Sequence, residues 1–273
     1  MRPITLVLGI ALLSTGGCAG GSPSVTLPDD PGTDLAELFA YEPDPVDMVV
    51  SAVRPGDGHE TLDITYAGRN GSRVEAFLVV PGSPGPHAGV VFMHQGAGNR
   101  SQFFGEATAL ADGGFVSLLV GIPWAAELDR FTDAVVALRR GADLLSQRDD
   151  VDPGRLGYVG HSWGATFGTI LAAIDRRFQA YALMAGVDSL AGMLGDEALR
   201  PFDSGPYLAS APPAPMLFQY GEKDSRVTPD IAKRLFDLAG DPKELRAYAT
   251  DHNFQDEDAT ADRRAWLVTH LGG

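Results

Sequence analysis

The sequence has little of what disulfides, metal sites or nucleic-acid contacts require. Its one cysteine, Cys18, excludes a disulfide within the chain, so the fold must depend on the burial of apolar surface. Lys and Arg number 21 against 36 Asp and Glu, which gives a formal net charge of −15. Phosphate contacts need clustered basic side chains, so we expect no nucleic-acid partner. Neither a CxxC nor an HExxH spacing occurs, so we expect no metal.

The N-terminus also lacks an apolar run long enough for a membrane-spanning helix. Arg2 precedes an uncharged apolar core at 4–13, whereas a spanning helix needs about 20 such residues. We therefore predict that residues 1–18 are a bacterial secretion signal. The two glycines before Cys18 resemble a lipoprotein processing site, where the cysteine is acylated and anchors the protein in the cell envelope. Such an anchor would be the contact with the membrane, and secretion without a lipid is the alternative.

The rest of the chain divides into a tether and one domain. Residues 19–45 are rich in Gly, Ser, Pro and Asp and are predicted to form a flexible tether or a loosely docked arm, with 35–41 as the segment able to pack. Residues 46–273 have the size of one domain, and β-like runs alternate in them with amphipathic helical runs. This alternation predicts an α/β fold with a mostly parallel central sheet and helices on both faces.

Individual strands and helices follow from the same alternation. The first two strands are expected to be antiparallel, and the connection at 186–214 is expected to hold a short helical piece and at most a small cap. Strands are predicted at 62–66, 74–80, 89–93, 115–120, 155–159, 180–184, 215–220 and 245–248, and helices near 102–111, 125–146, 164–174, 229–238 and 262–271.

The motif Gly160-His161-Ser162-Trp163-Gly164 carries the clearest chemical signal. It directly follows a strand-like run at 155–159 and directly precedes a helical run. A strand that turns sharply into a helix exposes the middle serine at the tip of a strained turn, and glycines at both flanks let the two backbones approach closely. We therefore predict that Ser162 is a nucleophile. The alternative is that Ser162 only caps the helix.

A serine nucleophile needs a base to take its proton and a carboxylate to orient that base. In an α/β fold with this turn, the acid follows the serine along the chain and the histidine comes last. Asp224 lies in the turn after the strand at 215–220 and is the predicted acid. Glu222 is its nearest competitor but sits closer to the end of that strand. Without Ser162, Asp224 would be an ordinary turn or cap carboxylate.

His252 is the histidine whose place in the chain fits the predicted base. It follows the strand-like run at 245–248 and precedes the C-terminal helical run, so it also comes after Asp224. The other five histidines need no role in this interpretation: His59, His87, His94, His161 and His270.

Backbone amides are predicted to bind the oxyanion that forms when the serine attacks a carbonyl. One is the N–H of Trp163, which follows the nucleophile. The second is expected in the loop after the strand at 89–93, where Gly96 would let a substrate oxygen approach the backbone closely. Four residues near the predicted mouth are candidates for the substrate pocket, with core packing as the alternative for the aromatic ones: Gln95, Pro123, Trp124 and Phe254.

These motifs resemble those of the α/β-hydrolase superfamily, in its dienelactone-hydrolase-like and prolyl-oligopeptidase-like branch. The similarity runs from about Glu60 to the C-terminus and includes DVDPGRLGYVGHS at 150–162. The chain departs from the branch at Gln95, where a glycine usually follows the histidine, and at Ser162, where dienelactone hydrolases proper have cysteine. The resemblance implies hydrolysis of esters or amides through an acyl-enzyme, without a cofactor.

We therefore expect a secreted serine hydrolase that acts as a carboxylesterase on small to medium acyl esters, with a small-molecule ester as its partner. Two alternatives remain open. One is a serine peptidase of the prolyl-oligopeptidase-like type. The other is a non-catalytic envelope lipoprotein that keeps the hydrolase scaffold for binding.

Overall fold

The computed structural model describes residues 37–122 and 128–272. The predicted signal, Cys18, most of the predicted tether and two pocket candidates, Pro123 and Trp124, lie outside these residues. Within the described part, no helix combines the length and apolarity needed to cross a membrane.

The described residues form one nine-stranded mixed sheet. Its strands are β1 (Val49–Pro55), β2 (His59–Ala67), β3 (Arg73–Pro81), β4 (His87–Met93), β5 (Phe115–Gly121), β6 (Val151–His161), β7 (Phe178–Met184), β8 (Met216–Gly221) and β9 (Lys243–Tyr248). Their order across the sheet is β1-β2-β3-β5-β4-β6-β7-β8-β9. The strands from β5 to β9 in this order run parallel, whereas β1, β2 and β3 pair antiparallel with their neighbours. The predicted mostly parallel sheet with an antiparallel start is therefore confirmed.

Helices pack on both faces of the sheet. They are α1 (Phe104–Ala111), α2 (Leu128–Ser146), α3 (Trp163–Ile174), α4 (Leu190–Leu194), α5 (Ser204–Ser210), α6 (Pro229–Leu238) and α7 (Glu257–Leu271), with short 3-10 turns at Glu37–Phe39, Arg69–Gly71 and Glu197–Phe202. Helices α1 and α7 contact each other over one face. Over the other face α2 contacts α3, α3 contacts α5, and α5 contacts α6. A sheet covered on both faces has apolar strands rather than alternating ones, and all seven residues of β4 are buried.

The parallel register brings the ends of four strands to one edge of the sheet. Met93 at the end of β4 pairs with Gly160 of β6, and Gly221 at the end of β8 pairs with Tyr248 at the end of β9. The segments that follow these four strands contain the predicted oxyanion loop, nucleophile, acid and base. Ligand sites in open α/β sheets lie at this carboxyl edge.

Strand β1 and the connection at 186–214 differ from the sequence prediction. All of β1 is exposed, so its apolar residues follow no one-sided pattern from which a strand could be predicted. The 186–214 connection contains α4, a 3-10 turn and α5, where one short helical piece is predicted. Helix α5 contacts α3 and α6, and Phe202 and Tyr207 of the connection are buried. Buried aromatic residues therefore anchor this connection in the core, whereas residues 192–198 are exposed.

The described end of the predicted tether is docked on the domain. Phe39 has no exposed surface, and its ring centroid lies 5.8 Å from that of Phe202 and 6.1 Å from that of Tyr207. The Tyr41 hydroxyl donates to Asp143 at 3.0 Å. Residues 37–41, which belong to the segment that the sequence marks as able to pack, therefore form a docked arm rather than a flexible tether.

Replacing Phe39 with Ala should lower the free energy of unfolding by about 3–5 kcal/mol, because it leaves a cavity under two aromatic rings. Urea unfolding of Phe39→Ala against the wild type measures this loss. Glu37→Ala, an exposed change in the same turn, is the control and should shift the free energy by less than about 0.5 kcal/mol. Equal stability of Phe39→Ala and the wild type would show that the segment contributes nothing as an anchor.

Candidate active site

Ser162 occupies a strained turn between β6 and α3. Its backbone has φ 55° and ψ −110°, a left-handed conformation that costs a non-glycine residue about 1–3 kcal/mol. The Ser162 N–H donates to the carbonyl of Met184 at 2.7 Å, which holds the turn against the end of β7. Helix α3 begins at the next residue. This geometry places the serine at the carboxyl edge of the sheet, at the tip of the strand-to-helix turn.

Close backbone contacts explain both glycines of the motif. A Cβ at Gly160 would lie 2.3 Å from the carbonyl oxygen of Gly164. A Cβ at Gly164 would lie 2.3 Å from the carbonyl oxygen of Met93. Neither backbone oxygen can move aside without shifting a strand or the helix. Any side chain at these two positions would therefore push α3 away from the sheet and displace Ser162.

The structure brings the three predicted triad residues together. Nε2 of His252 lies 3.1 Å from Oγ of Ser162, although the two residues are 90 positions apart. Nδ1 of the same ring lies 2.7 Å from Oδ2 of Asp224. A proton on Nδ1 is donated to the carboxylate, which leaves Nε2 free to accept the serine proton. The arrangement is a hydroxyl, a base and an orienting acid in one hydrogen-bonded series.

Asp224 is buried and strongly hydrogen-bonded. Burial alone would raise the pKa of its carboxyl, but the hydrogen bond from His252 and the backbone N–H groups of Val227 and Arg226 outweigh burial, and the pKa is lowered. These two amides donate to Oδ1 at 2.9 and 2.8 Å. The competitor Glu222 is exposed. The carboxylate is therefore ionised and can stabilise a positive charge on His252.

The loop after β4 is held by side chains on either side of it. The Gln95 N–H donates to Oε1 of Gln102 at 3.0 Å, and the Gly98 N–H donates to the Gln95 carbonyl at 2.9 Å. Nδ1 of buried His94 donates to the same carbonyl at 2.6 Å, and its Nε2 accepts the N–H of Ile122. Burial lowers the pKa of His94, which suits a neutral ring in these roles. Two amides of the loop are thus engaged, and the Gly96 amide between them stays the candidate donor.

Helix α3 supplies the other predicted donor region. Trp163 is the first residue of this helix, and the first amides of a helix carry partial positive charge at its N-terminus. The half-buried Trp163 ring packs against Phe131, with 4.7 Å between centroids. The start of α3 and the loop after β4 therefore lie at the same sheet edge as Oγ of Ser162.

Among the predicted pocket residues, Phe254 packs inside the domain. Its ring is buried and packs at 5.7 Å from the ring of His161 and at 6.2 Å from that of Tyr248, measured between centroids. Phe254 supports the segment that contains His252 from inside the domain, as in the core-packing alternative. Gln95 is half-buried in the loop described above.

Sequence reasoning misses His161 and Gln102. His161 is fully buried, with Nδ1 at 2.6 Å from Nε2 of Gln102 and Nε2 at 2.7 Å from the backbone carbonyl of His252. Burial, reinforced by nearby His252, lowers the pKa of His161 to about 3. The one signal in the sequence is a histidine inside the motif itself. Nothing in the sequence marks Gln102.

The acidic and histidine side chains of the described residues form no metal-binding cluster. Among residues 37–122 and 128–272, no group of three or more His, Cys, Asp or Glu is placed to hold a metal ion.

The buried neutral His161 should make the protein less stable in acid. The unfolded chain binds a proton on this ring below its ordinary pKa of 6.5, whereas the folded protein binds it only near pH 3. Its contribution to stability is thus fully present above pH 6.5 and falls by about 1.4 kcal/mol per pH unit as the pH drops toward 3. Urea unfolding of the wild type and His161→Gln between pH 7 and 4 tests this. The unfolding free energy of the wild type should fall relative to that of His161→Gln as the pH falls. A constant difference between the two proteins would contradict the predicted effect of His161.

Comparisons with known proteins agree with this architecture. No family model matches the chain. YfhR, an uncharacterised protein of Escherichia coli O157:H7, is 26% identical over 238 residues, which are 77% of this chain and 78% of that protein. An acetyl xylan esterase from Paenibacillus sp. R4 superposes with a TM-score of 0.74 at 18% identity, over 87% of this chain and 91% of that one. A puromycin-hydrolyzing peptidase of Mycobacterium tuberculosis superposes with a TM-score of 0.64 at 16% identity, over 82% of this chain and 46% of that one. The chain therefore has the α/β-hydrolase fold.

Proposed function

We propose that the protein is a serine hydrolase that cleaves small to medium acyl esters through an acyl-enzyme. The observation that carries this proposal is the hydrogen-bonded series from Asp224 through His252 to Ser162. A serine held at positive φ on a sharp turn, with a base and a buried ionised acid in line, has the chemistry of a nucleophile.

The reaction has two halves. Oγ of Ser162 attacks the ester carbonyl while Nε2 of His252 takes the hydroxyl proton, and the ionised Asp224 stabilises the imidazolium. The amides of Trp163 and Gly96 would bind the oxyanion. His252 then gives its proton to the leaving alcohol, and the acyl group stays on Ser162. In the second half, His252 takes a proton from water while the water oxygen attacks the acyl carbon. The bond between Oγ of Ser162 and the acyl group then breaks, His252 returns its proton to Oγ, and the acid is released.

Esters are favoured over peptides by the extent of the structural matches. The acetyl xylan esterase is matched over 91% of its length, whereas the peptidase is matched over less than half of its own. The 186–214 connection, where a cap could be inserted, is anchored in the core by the buried Phe202, Tyr207 and Leu208. These features support a site open to small substrates. The predicted signal at 1–18, with Cys18 as its predicted lipidation site, supports a place of action in the bacterial cell envelope.

Replacing Ser162 with Ala should lower kcat/KM for p-nitrophenyl acetate by about 10⁴-fold or more, because no other hydroxyl in the hydrogen-bonded series can form the acyl-enzyme. A fluorophosphonate probe should label the wild type at Ser162 and leave Ser162→Ala unlabelled. Equal thermal unfolding of the two proteins is the control for folding. A wild type that neither turns over the ester nor reacts with the probe would favour the non-catalytic scaffold.

A comparison of ester and anilide substrates tests the proposed esterase against the peptidase. We expect kcat/KM for p-nitrophenyl esters, tested from acetyl to octanoyl, to exceed that for aminoacyl p-nitroanilides, since the proposed site has no described feature dedicated to a peptide chain. The Ser162→Ala protein gives the background rate for each substrate. A preference for the anilides would replace the proposed esterase with a serine peptidase.

A further inference from the structure

One glutamine side chain links the two halves of the candidate site. Oε1 of Gln102 accepts the N–H of Gln95 at 3.0 Å, in the loop that contains the candidate oxyanion donor Gly96. Nε2 of the same amide lies 2.6 Å from Nδ1 of His161. Gln102 lies just before α1 and is itself exposed, so these bonds are not a by-product of core packing.

His161 extends the link to the proposed base. Its Nε2 lies 2.7 Å from the backbone carbonyl of His252, and a carbonyl can only accept. The proton of His161 is therefore on Nε2, and Nδ1 accepts from the amide nitrogen of Gln102. That choice leaves Oε1 of Gln102 facing the N–H of Gln95, so each of the three contacts pairs one donor with one acceptor.

We infer that Gln102 and His161 are positioning residues that hold the backbone of His252 and the Gln95–Gly96 loop at a fixed separation. This inference rests on the proposed function. His252 lies in an irregular segment between β9 and α7, and its backbone carbonyl is bound by His161 at the end of β6. The reaction needs the base within reach of Ser162 and the oxyanion donors at the carbonyl oxygen at the same moment. A displacement of about 1 Å in such groups costs on the order of 10²-fold in rate.

A neutral, buried His161 suits this role better than a charged one. A doubly protonated ring would repel the positive charge that forms on His252, whose ring centroid lies 5.3 Å away. With two neutral hydrogen bonds the ring orients the segment and adds no charge. His161 therefore acts through the backbone of His252 and does not exchange protons with Ser162.

Replacing Gln102 with Met tests the link, because Met keeps the length of the side chain and removes both hydrogen bonds. We expect kcat for p-nitrophenyl acetate to fall by about 10- to 100-fold, with KM changed much less. Thermal unfolding should change little, since Gln102 is exposed. The matched control is Gln179→Met. Gln179 is also exposed, and its Nε2 donates to the backbone carbonyls of Arg176 and Arg177 at the opposite edge of the sheet. Gln179→Met should keep the wild-type kcat.

A double-mutant cycle separates a shared link from two independent roles. His161→Gln keeps an amide nitrogen near the position of Nε2 but has no acceptor at the position of Nδ1, to which Gln102 donates. If the two residues form one series, the loss of kcat in the double variant should be smaller than the product of the two single losses. Fully multiplicative losses would overturn the inference.

The protonation state of the His161 ring provides a second measurement. It would not change in a Gln102 variant if Gln102 only stabilised the fold. Nitrogen NMR of the histidine rings should show His161 neutral, with its proton on Nε2, in the wild type at pH 6–8. In Gln102→Glu the carboxylate accepts the Gln95 N–H but cannot donate to Nδ1, so His161 should gain a proton on Nδ1. An unchanged His161 signal in Gln102→Glu would overturn the inference.

The two levels of failure can be told apart. A wild type that hydrolyses no ester overturns the proposed function, and the positioning role falls with it. An active wild type with the same kcat in Gln102→Met overturns the positioning role alone.

Discussion

The close approach of α3 to the ends of β4 and β6 is the constraint on which the candidate site depends. Carbonyl oxygens of Met93 and Gly164 occupy the space where side chains at 164 and 160 would lie. Because the helix starts so near the sheet, the connecting residue has no room for an ordinary turn and takes φ 55°. The strain of this one residue is offset by the packing of β4, β6 and α3, whose core residues are buried.

The proposed base is supported by a second polar network on the far side of its segment. Arg263 of α7 is buried, donates to Glu106 of α1 at 2.7 Å, and reaches Oε1 of Gln219 on β8 at 3.0 Å. Gln219 in turn donates to the Tyr248 hydroxyl and to the carbonyl of Ala259. These two residues flank the segment that carries His252. Buried charges and amides are stable only when each has a partner, so this network fixes β9 and α7 relative to each other.

The segment that carries His252 is therefore held from two sides by groups that take no part in the proposed reaction. The Arg263 network fixes the ends of the segment, and neutral His161 binds its middle. Asp224 then sets the ring orientation through Nδ1. An enzyme that moves protons at one ring nitrogen needs all other contacts of that ring and its backbone to stay in place, because proton transfer is sensitive to small changes in distance.

The sequence by itself determined the parts of this protein that depend on local pattern and chain order. Buried strands are apolar runs, and the motif around Ser162 needs its glycines, so the parallel sheet and the strand-to-helix turn follow from short segments. The order of Ser162, Asp224 and His252 follows because each lies in the segment after a parallel strand of the same sheet. Strand β1, the docked Phe39 and the link through Gln102 and His161 were decided only by the tertiary structure. Each depends on partners far away in the chain, such as Tyr207 for Phe39 and the carbonyl of His252 for His161, and no local pattern encodes such a meeting.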